Sequence, residues 1–241
     1  MQRILRPIGG RRMVTSGVTS SPARKRGRPT AAERVERRAQ ILDAALGVFL
    51  ENGFGNATVD QLAAASHVTK RTIYSYFTDK AGVFSEMVQS LAVTVSSSAP
   101  DDDTLETLAT RIVFRLNSAE LIGLHRLVIA ESTRFPELAR TLHQNGDARH
   151  IGRLAEHIRA EFGEAYADRA PQLFSLLLGQ GHRKRLLGLL GPATPADASE
   201  HAHEALTLAG LSRPATVAGA AAPADALAHE FSHPFAHIPG D

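Results

Sequence analysis

The sequence predicts an all-α protein built in two parts, and three observations support this fold class. From residue 41 to residue 187, apolar residues recur every three or four positions, which is the spacing of one buried helix face. No segment alternates apolar and polar residues in the way that a half-buried strand does. Residues 58–80 carry the start signals of two short consecutive helices. A chain of 241 residues can bury a full core as one large domain or two small ones.

Residues 58–80 predict a helix-turn-helix motif. Thr58 followed by Gln61 is the pattern of a capping box, which begins a helix at this point. Residues 66–68 do not extend that helix comfortably, and Thr69 offers a second N-cap. In such a motif one helix braces the DNA backbone and the short second helix enters the major groove. The alternative is an ordinary helical hairpin with a solvated outer face.

The predicted second helix has an apolar face and a polar face. Val68, Ile73 and Phe77 supply the apolar face. The outward side chains are basic or carry hydroxyl groups, which suit phosphate oxygens and base edges. These outward residues are Lys70, Arg71, Thr72, Tyr74 and Tyr76.

Residues 38–88 resemble the DNA-binding domain of the tetracycline-repressor (TetR/AcrR) family. The resemblance has no gap and includes Phe49, Gly53, Thr58, Tyr74, Phe77 and Lys80. It implies an N-terminal three-helix domain followed by a C-terminal helical ligand-binding and dimerisation domain. By family position, Thr58, Tyr74 and Lys80 are expected to contact phosphates, and residues 70–72 to lie nearest the bases. The full set of predicted DNA contacts in this domain is Thr58, Thr69, Lys70, Arg71, Thr72, Tyr74, Tyr76 and Lys80.

His67 departs from that family, because many members carry a glycine at this position of the turn. A non-glycine residue with a positive φ costs roughly 1 kcal/mol. We therefore expect a slightly weakened turn and an unchanged fold.

The charge of the chain is divided unevenly between its ends. Residues 1–40 contain 11 Lys or Arg and two acids, which gives +9, whereas the remainder carries −7. A basic end on an acidic body is typical of a protein that meets nucleic acid with one end. Residues 24–29 resemble an AT-hook, which lays arginines into a narrow minor groove, and a generic basic arm is the alternative. The predicted contacts of this arm are Arg24, Lys25, Arg26 and Arg28.

Four regions follow from composition and periodicity. We predict a disordered basic arm over 1–30, a helix-turn-helix domain over 31–80, a helical ligand-binding and dimerisation domain over 81–211, and a flexible tail over 212–241. The first helix should run over 31–52 and the last over about 199–208, with a linker at 96–103. The remaining predicted boundaries are a stop at Gly53, a start at Pro136, a stop at Asn145-Gly146, and N-caps at Asp147 and Asp168.

Residues 126–140 resemble the C-terminal domain of the AefR-like branch of the same family. This resemblance implies a helical domain that binds a ligand and dimerises. The expected effector contacts are Phe114, Leu121, His125, Phe135, His143 and Phe174. The expected dimer contacts are Leu154, Ile158, Leu173, Leu177 and Leu178. For both sets the alternative is that the side chains simply fill the core.

Several function classes are not supported by the sequence. The chain has no cysteine, which excludes disulfides and thiolate chemistry. Phosphate-binding loops and hydrolase or metalloprotease motifs are missing, so we expect no enzyme and no cofactor. The histidines near the C-terminus, His201, His203, His229, His233 and His237, are interpreted as solvent-exposed rather than metal ligands. No apolar run is long enough for a membrane helix and no secretory signal is recognisable, so a cytoplasmic location is expected.

Together these features predict a one-component transcriptional regulator, expected to be a repressor. A homodimer would bind a pseudo-palindromic operator in double-stranded DNA, and a small apolar molecule would release it. The alternative is a ligand-independent architectural protein that relies on the basic arm.

Overall fold

A computed structural model describes residues 30–96 and 104–212. Within these ranges the chain is helical and contains no strand, so the predicted all-α class is confirmed. Residues 1–29, 97–103 and 213–241, which include all but one residue of each of the predicted basic arm, linker and tail, lie outside the described residues. The α-helices are α1 (Ala31–Asn56), α2 (Val59–Ala65), α3 (Lys70–Tyr76), α4 (Lys80–Ser96), α5 (Leu105–Leu116), α6 (Ala119–Glu131), α7 (Pro136–Leu142), α8 (Ala148–Phe162), α9 (Ala170–Leu186) and α10 (Pro195–Leu208).

The first three helices begin where the sequence places them. Capping boxes start α1 at Thr30 with Glu33 and α2 at Thr58 with Gln61, and Thr69 caps α3 by accepting a hydrogen bond from the Thr72 amide. Each cap satisfies amide groups that the first turn of a helix leaves unpaired. The helix starts of this part of the chain are therefore encoded locally.

The predicted stop of α1 at Gly53 coincides with a break in the helix, but the helix does not end there. Gly53 has a φ of 75°, which breaks the regular helix and favours glycine. One further turn follows the break, so the helix ends at Asn56 rather than Asn52. That last turn brings Phe54 into the core, where its ring stacks on Phe49 and meets Phe84 edge to face, both at centroid distances of 5.6 Å.

Helix α4 joins the two parts of the molecule. Its buried side chains include Val83 and Phe84 near the first helix and Leu91 near the C-terminal helices. The same helix packs against α1 at one end and against α5, α7 and α8 further along. Any tilt of α4 therefore reaches both parts.

The predicted stop at Asn145-Gly146 and the predicted N-cap at Asp147 are wrong. A π-helical turn, His143–Asp147, connects α7 directly to α8, and Asp147 makes no capping hydrogen bond. Gly146 is buried in this turn against Leu142 and Val88 of α4. Packing against α4 thus keeps the chain helical at a dipeptide that locally favours a stop.

The predicted N-cap at Asp168 is also wrong. A 3-10 helix, Glu164–Arg169, runs straight into α9, whose N-cap position is Arg169 without a side-chain hydrogen bond. Within α9, Gly179 has a φ of 52° and kinks the helix. His201 of α10 fills the kink and hydrogen-bonds through its Nε2 to the Leu177 carbonyl oxygen at 3.0 Å.

The last helix begins four residues before the predicted position. Thr194 and Asp197 form a capping box with Pro195 in the first turn, which starts α10 at Pro195. This helix packs mainly along α5 through three small buried residues, Ala198, Ala202 and Ala205. Small side chains at this contact permit a close approach of the two helix axes.

Candidate nucleic-acid interface

The turn between α2 and α3 is closed by the backbone and by one neighbouring side chain. His67 adopts the predicted positive φ, at 53°. Its amide donates to the Ala64 carbonyl oxygen, and the Val68 amide donates to that of Ala63 at 3.0 Å. Gln40 of α1 donates to the Ser66 carbonyl oxygen at 2.9 Å. The angle between α2 and α3 is therefore fixed against α1.

Helix α3 presents one polar face to solvent. Ile73 is fully buried beneath the helix, and Phe77 closes its C-terminal end. Arg71 and Ser75 are exposed, and Tyr74 has 56% of its surface exposed. An exposed arginine next to an exposed tyrosine is suited to reading base edges and phosphates in a groove.

The other predicted contacts on α3 already have partners within the chain. Lys70 forms an ion pair with Asp60 of α2, at 2.7 Å between Nζ and Oδ2, and that hydrogen bond raises the pKa of Lys70. Thr72 shares a hydrogen bond with the hydroxyl of Thr69 at 2.9 Å. Tyr76 is half-buried. These contacts hold the exposed face in one orientation.

Tyr76 also connects α3 to the beginning of α1. The Arg34 guanidinium lies 6.0 Å from the centre of the Tyr76 ring. Arg34 lies in the first turn of α1, which begins at Ala31 after the N-cap Thr30. This contact therefore ties the first turn of α1 to the C-terminal end of α3.

Thr58 and Lys80, both predicted phosphate contacts, have structural partners. The Thr58 hydroxyl takes part in the capping box of α2. The Lys80 ammonium donates to the carbonyl oxygens of Phe54, Gly55 and Ala57 at 2.6, 3.2 and 2.8 Å. An ammonium has three hydrogens to donate, and these bonds use all of them. Burial lowers the pKa of Lys80. Lys80 thus closes the end of α1 and orients the start of α4.

A second contact joins the end of α1 to the C-terminal helices. The Glu131 carboxylate, at the end of α6, accepts a hydrogen bond from the Gly55 amide at 3.0 Å. Phe54 meets Phe135 edge to face at 5.1 Å. No local pattern in the sequence points to Glu131, because its partner lies 76 residues away.

A small cavity lies between α4, α5, α6 and the π-helical turn. Its volume is about 20 Å³, roughly the space of one water molecule. Three polar side chains, His125, Asp147 and His150, face it among apolar neighbours. Those neighbours are Val88, Leu91, Ala92, Leu116, Leu121, Leu124, Leu142 and Gly146.

Of the six predicted effector contacts, two line the cavity and four do not. Leu121 and His125 line the cavity. Phe174 lies one layer behind, stacked on His150 at 6.1 Å. Phe135 packs on Phe54 at the junction with α1 instead. Neither His143, which is exposed beside Asp147, nor Phe114 lines the cavity.

Sequence reasoning missed Asp147 and His150 as cavity residues. Three positions separate them, a helical spacing that puts two side chains on one face. That signal was hidden because the predicted stop at residues 145–146 interrupted the helix. Burial raises the pKa of Asp147, and it lowers the pKa of His150 to about 4.

The predicted dimer residues need correction. Leu154, Ile158, Leu173 and Leu177 have no exposed surface in the single chain, because they pack against one another and against α5. A fully buried side chain cannot contact a partner, so these four are core residues. Leu178 is half-buried. Large exposed apolar side chains do occur just after α9, at Leu187, Leu189 and Leu190.

The described residues contain neither a helix that could span a membrane nor a group of metal ligands. None of their helices is both long and apolar enough to cross a bilayer. In the same ranges no group of three or more potential metal ligands converges. His201 pairs with the Leu177 carbonyl, and His203 lies 3.1 Å from Glu106. The three remaining histidines of the C-terminal tail lie outside the described residues.

A capped two-helix motif that presents an exposed arginine and tyrosine, mounted on a helical body, defines a helix-turn-helix DNA-binding protein. Residues 41–87 match the family model described as bacterial regulatory proteins, tetR family. Residues 103–209 match the AefR-like transcriptional repressor, C-terminal domain. The chain belongs to the TetR family, whose members are DNA-binding transcriptional regulators, and its C-terminal domain is AefR-like. Both resemblances found in the sequence are confirmed.

Individual relatives agree with this assignment. The chain is 43% identical over 63 residues to the HTH-type transcriptional regulator SrpR of Pseudomonas putida, covering 26% of this chain and 30% of SrpR. It is 32% identical over 138 residues to the uncharacterized HTH-type transcriptional regulator YdeS of Bacillus subtilis (strain 168), covering 57% and 61%. The chain thus aligns with less than two thirds of either relative. Among solved structures, the flavonoid-responsive regulator FrrA superposes with a TM-score of 0.55 at 26% identity, covering 72% of this chain and 95% of FrrA.

Proposed function

We propose that the protein is a ligand-responsive repressor that binds a short pseudo-palindromic operator as a homodimer and is released by a small apolar molecule. The observation that carries the DNA-binding part is the exposed face of α3, with Arg71 and Tyr74 outward on a helix anchored by Ile73 and Phe77. A dimer is expected because a helix-turn-helix normally reads a two-fold site, with half-sites roughly 34 Å apart.

Release by a small molecule is supported by the course of α4. This helix lines the cavity with Val88 and Leu91, and it begins at Lys80, next to α3. A ligand that enlarges the cavity would tilt α4 and misplace the recognition helix. The name of FrrA, a flavonoid-responsive regulator, describes a protein of similar fold that responds to a small molecule. Linkage requires operator DNA to weaken ligand binding by the same factor.

The contacts to DNA are assigned as follows in this proposal. Arg71 and Tyr74 meet base edges and phosphates, with Lys70, Thr72 and Tyr76 at the margins of the same face. Lys80 and Thr58 act from within the protein, through the hydrogen bonds that hold α1, α2 and α4. The basic arm of residues 24–28 adds sequence-independent attraction to the phosphates.

A footprint with the purified full chain tests the proposal. A repressor should protect a short symmetric site, whereas an architectural protein should protect a broad A·T-rich region. The architectural alternative depends on the basic arm. The footprint is therefore repeated after deletion of residues 1–28, which removes this arm. Unchanged symmetry with weaker binding is expected, because the +9 charge of the first forty residues supplies mostly non-specific affinity. A footprint that loses its symmetry without the arm would contradict the proposal.

Arg71→Ala gives the residue-level test. We expect weaker operator binding, relaxed specificity at the contacted base pairs and a cost of about 1–3 kcal/mol. Arg183→Ala is the matched control, since Arg183 is an exposed arginine of α9 on the C-terminal side of the molecule. Equal operator affinities for both variants across a salt titration would disprove this use of α3.

A further inference from the structure

The cavity beside α4 is apolar except for one polar corner. Eight of its eleven lining residues are apolar, and the other three are His125, Asp147 and His150. This corner is the part of the cavity that can select a ligand, because apolar walls distinguish shape but hardly distinguish functional groups. The protonation of its side chains therefore decides which functional group fits.

The hydrogen bond of His125 fixes where its proton resides. Its Nδ1 lies 2.8 Å from the Leu121 carbonyl oxygen, one helical turn earlier. A carbonyl oxygen only accepts, so Nδ1 carries the hydrogen. Burial lowers the pKa of His125 from its usual 6.5, which keeps the ring neutral at pH 7. In a neutral imidazole with Nδ1 protonated, Nε2 carries a lone pair and accepts hydrogen bonds.

A second histidine, His182, packs against the His125 ring and is also neutral. The rings of His125 and His182 meet edge to face at 5.1 Å. Asn117 donates from Nδ2 to the Val113 carbonyl oxygen at 2.8 Å, which leaves its Oδ1 to accept from Nδ1 of His182 at 3.1 Å. His182 is therefore also protonated on Nδ1, and burial lowers its pKa to about 4. A proton on either ring would place a cation beside the other, so both remain neutral.

From this arrangement we infer that the cavity recognises a neutral molecule with an apolar skeleton and one hydroxyl group, a phenol or an alcohol, whose hydroxyl donates to the His125 imidazole. The inference rests on the proposed function and specifies the ligand class of the same site. An acceptor-rich corner pairs with a donor, and the half-buried Asp147 carboxylate nearby disfavours anionic ligands. A cation is disfavoured by the eight apolar neighbours, which would leave most of its donors unpaired.

The wall that makes room for such a molecule is the π-helical turn. The present volume of about 20 Å³ is far below the roughly 150 Å³ of a cavity that admits benzene. Turns of this kind interrupt the regular hydrogen-bond pattern and are frequent at functional sites. This turn contributes Gly146 and Asp147 to the wall and donates from Asn145 to the Ser85 hydroxyl of α4 at 3.1 Å. Movement of the turn therefore acts directly on α4.

Calorimetry on the full chain tests the ligand class with three probes of similar size. Phenol has a hydroxyl donor, toluene has none, and benzylammonium carries a positive charge. We expect phenol to bind at least about tenfold more tightly than toluene, which corresponds to one hydrogen bond that toluene cannot make. Equal affinity for phenol and toluene, no binding of phenol, or tighter binding of benzylammonium than of phenol would overturn the inference.

Two variants test whether Nε2 of His125 is the atom that accepts the hydrogen bond from the phenol hydroxyl. His125→Phe keeps the ring shape and removes the acceptor, so phenol should lose its advantage while toluene still binds. His157→Phe is the matched control, because His157 makes the same bond to the carbonyl oxygen four residues earlier, 3.0 Å from that of Arg153, and does not line the cavity. Retention of the phenol advantage in His125→Phe would overturn the assignment.

A measurement on the unmodified protein keeps the test decisive if His125→Phe does not fold. In nitrogen-15 spectra, the unprotonated Nε2 resonance of His125 should move upfield with phenol and stay in place with toluene. An unmoved resonance at saturating phenol would refute recognition by this imidazole. Operator affinity is measured separately in each titration. Selective phenol binding without a change in operator affinity would disprove the proposed release mechanism and leave the ligand class intact.

Discussion

Helix starts are specified differently in the helix-turn-helix region, α1–α3, and in the sensor region, residues 136–186. In the first, threonine caps define all three helix starts. In the second, α7, α8 and α9 all begin without a side-chain cap. Distant residues satisfy helix ends there, as when Arg126 of α6 donates to the Leu186 carbonyl oxygen at 2.9 Å. The helix-turn-helix region is thus locally encoded, and the sensor region depends on packing.

This difference suits the two tasks that we propose for these regions, DNA recognition and ligand sensing. A recognition helix must hold one geometry against DNA, and strong local caps favour a single conformation. A sensor must have two arrangements of nearly equal free energy, so that a ligand can shift their populations. Uncapped ends, a π-helical turn and the kink at Gly179 leave the sensor region with few local constraints on its helix positions.

The largest expected effect comes from charging the sensor core. Leu177→Glu should cost more than about 4 kcal/mol and abolish the folded sensor region, because a buried carboxylate without a partner is strongly unfavourable. Leu189→Glu is the control, since 69% of Leu189 is exposed. Circular dichroism should report lost helix content for the first variant and wild-type content for the second. Wild-type helix content in Leu177→Glu would contradict the buried position of this side chain.

Acid should weaken the sensor region before the helix-turn-helix region. His150 and His182 have pKa values lowered to about 4, chiefly by burial and then by the nearby His125. Between about pH 6.5 and pH 4 the unfolded chain binds protons that the folded chain excludes, so stability falls as pH falls. The loss should reach roughly 3 kcal/mol per histidine near pH 4 and vanish above about pH 6.5.

Unfolding by urea at a series of pH values measures this dependence. His150→Phe should flatten the curve, because the stacking on Phe174 survives while the titrating group is gone. His157→Phe, two helical turns further along α8 and outside the cavity, is measured beside it as the matched control. A wild-type stability that is constant from pH 7 to pH 4.5 would contradict the buried, neutral state of both histidines.

Lys80→Met separates a structural role from a DNA contact. Methionine keeps the apolar stem and removes the ammonium, which leaves the carbonyl oxygens at the end of α1 without their donor. We expect a loss of about 2 kcal/mol in unfolding free energy and no change in the salt dependence of operator binding. Lys70→Met is the control, since its ion pair with Asp60 is exposed and should matter less for stability. If the slope of log affinity against log salt concentration fell by about one in Lys80→Met, Lys80 would contact a phosphate after all.

The smallest effect is expected at the turn of the motif. His67→Gly should raise the unfolding free energy by less than about 1 kcal/mol, because glycine adopts the positive φ without strain, although it gains more freedom on unfolding. Ala65→Gly in the last turn of α2 should have the opposite sign and cost about 1 kcal/mol. Thermal melts of both variants measure the difference. A destabilised His67→Gly would mean that the histidine side chain itself supports the turn.

Prediction from the sequence succeeded where the signal was local. The capping box of Thr58 with Gln61 and the N-cap at Thr69 are formed as expected, and the break at Gly53 lies where the sequence places it. Prediction failed at Asp147 and Asp168, where local preference favours a new helix start. Packing of Gly146 against α4, and of the 3-10 helix against α8, overrides that preference.

The sequence by itself determined the helical class, the family, the helix-turn-helix motif and the outward positions of Lys70, Arg71 and Tyr74 on α3, because caps and apolar periodicity act between residues close in the chain. Only the tertiary structure decided that Lys80 closes α1, that Glu131 joins α6 to Gly55, and that His125, Asp147 and His150 share one cavity. It also decided that four leucine and isoleucine residues expected at a dimer surface belong to the core. Such contacts join residues far apart in the chain, and no local preference specifies which of many apolar or charged side chains will meet.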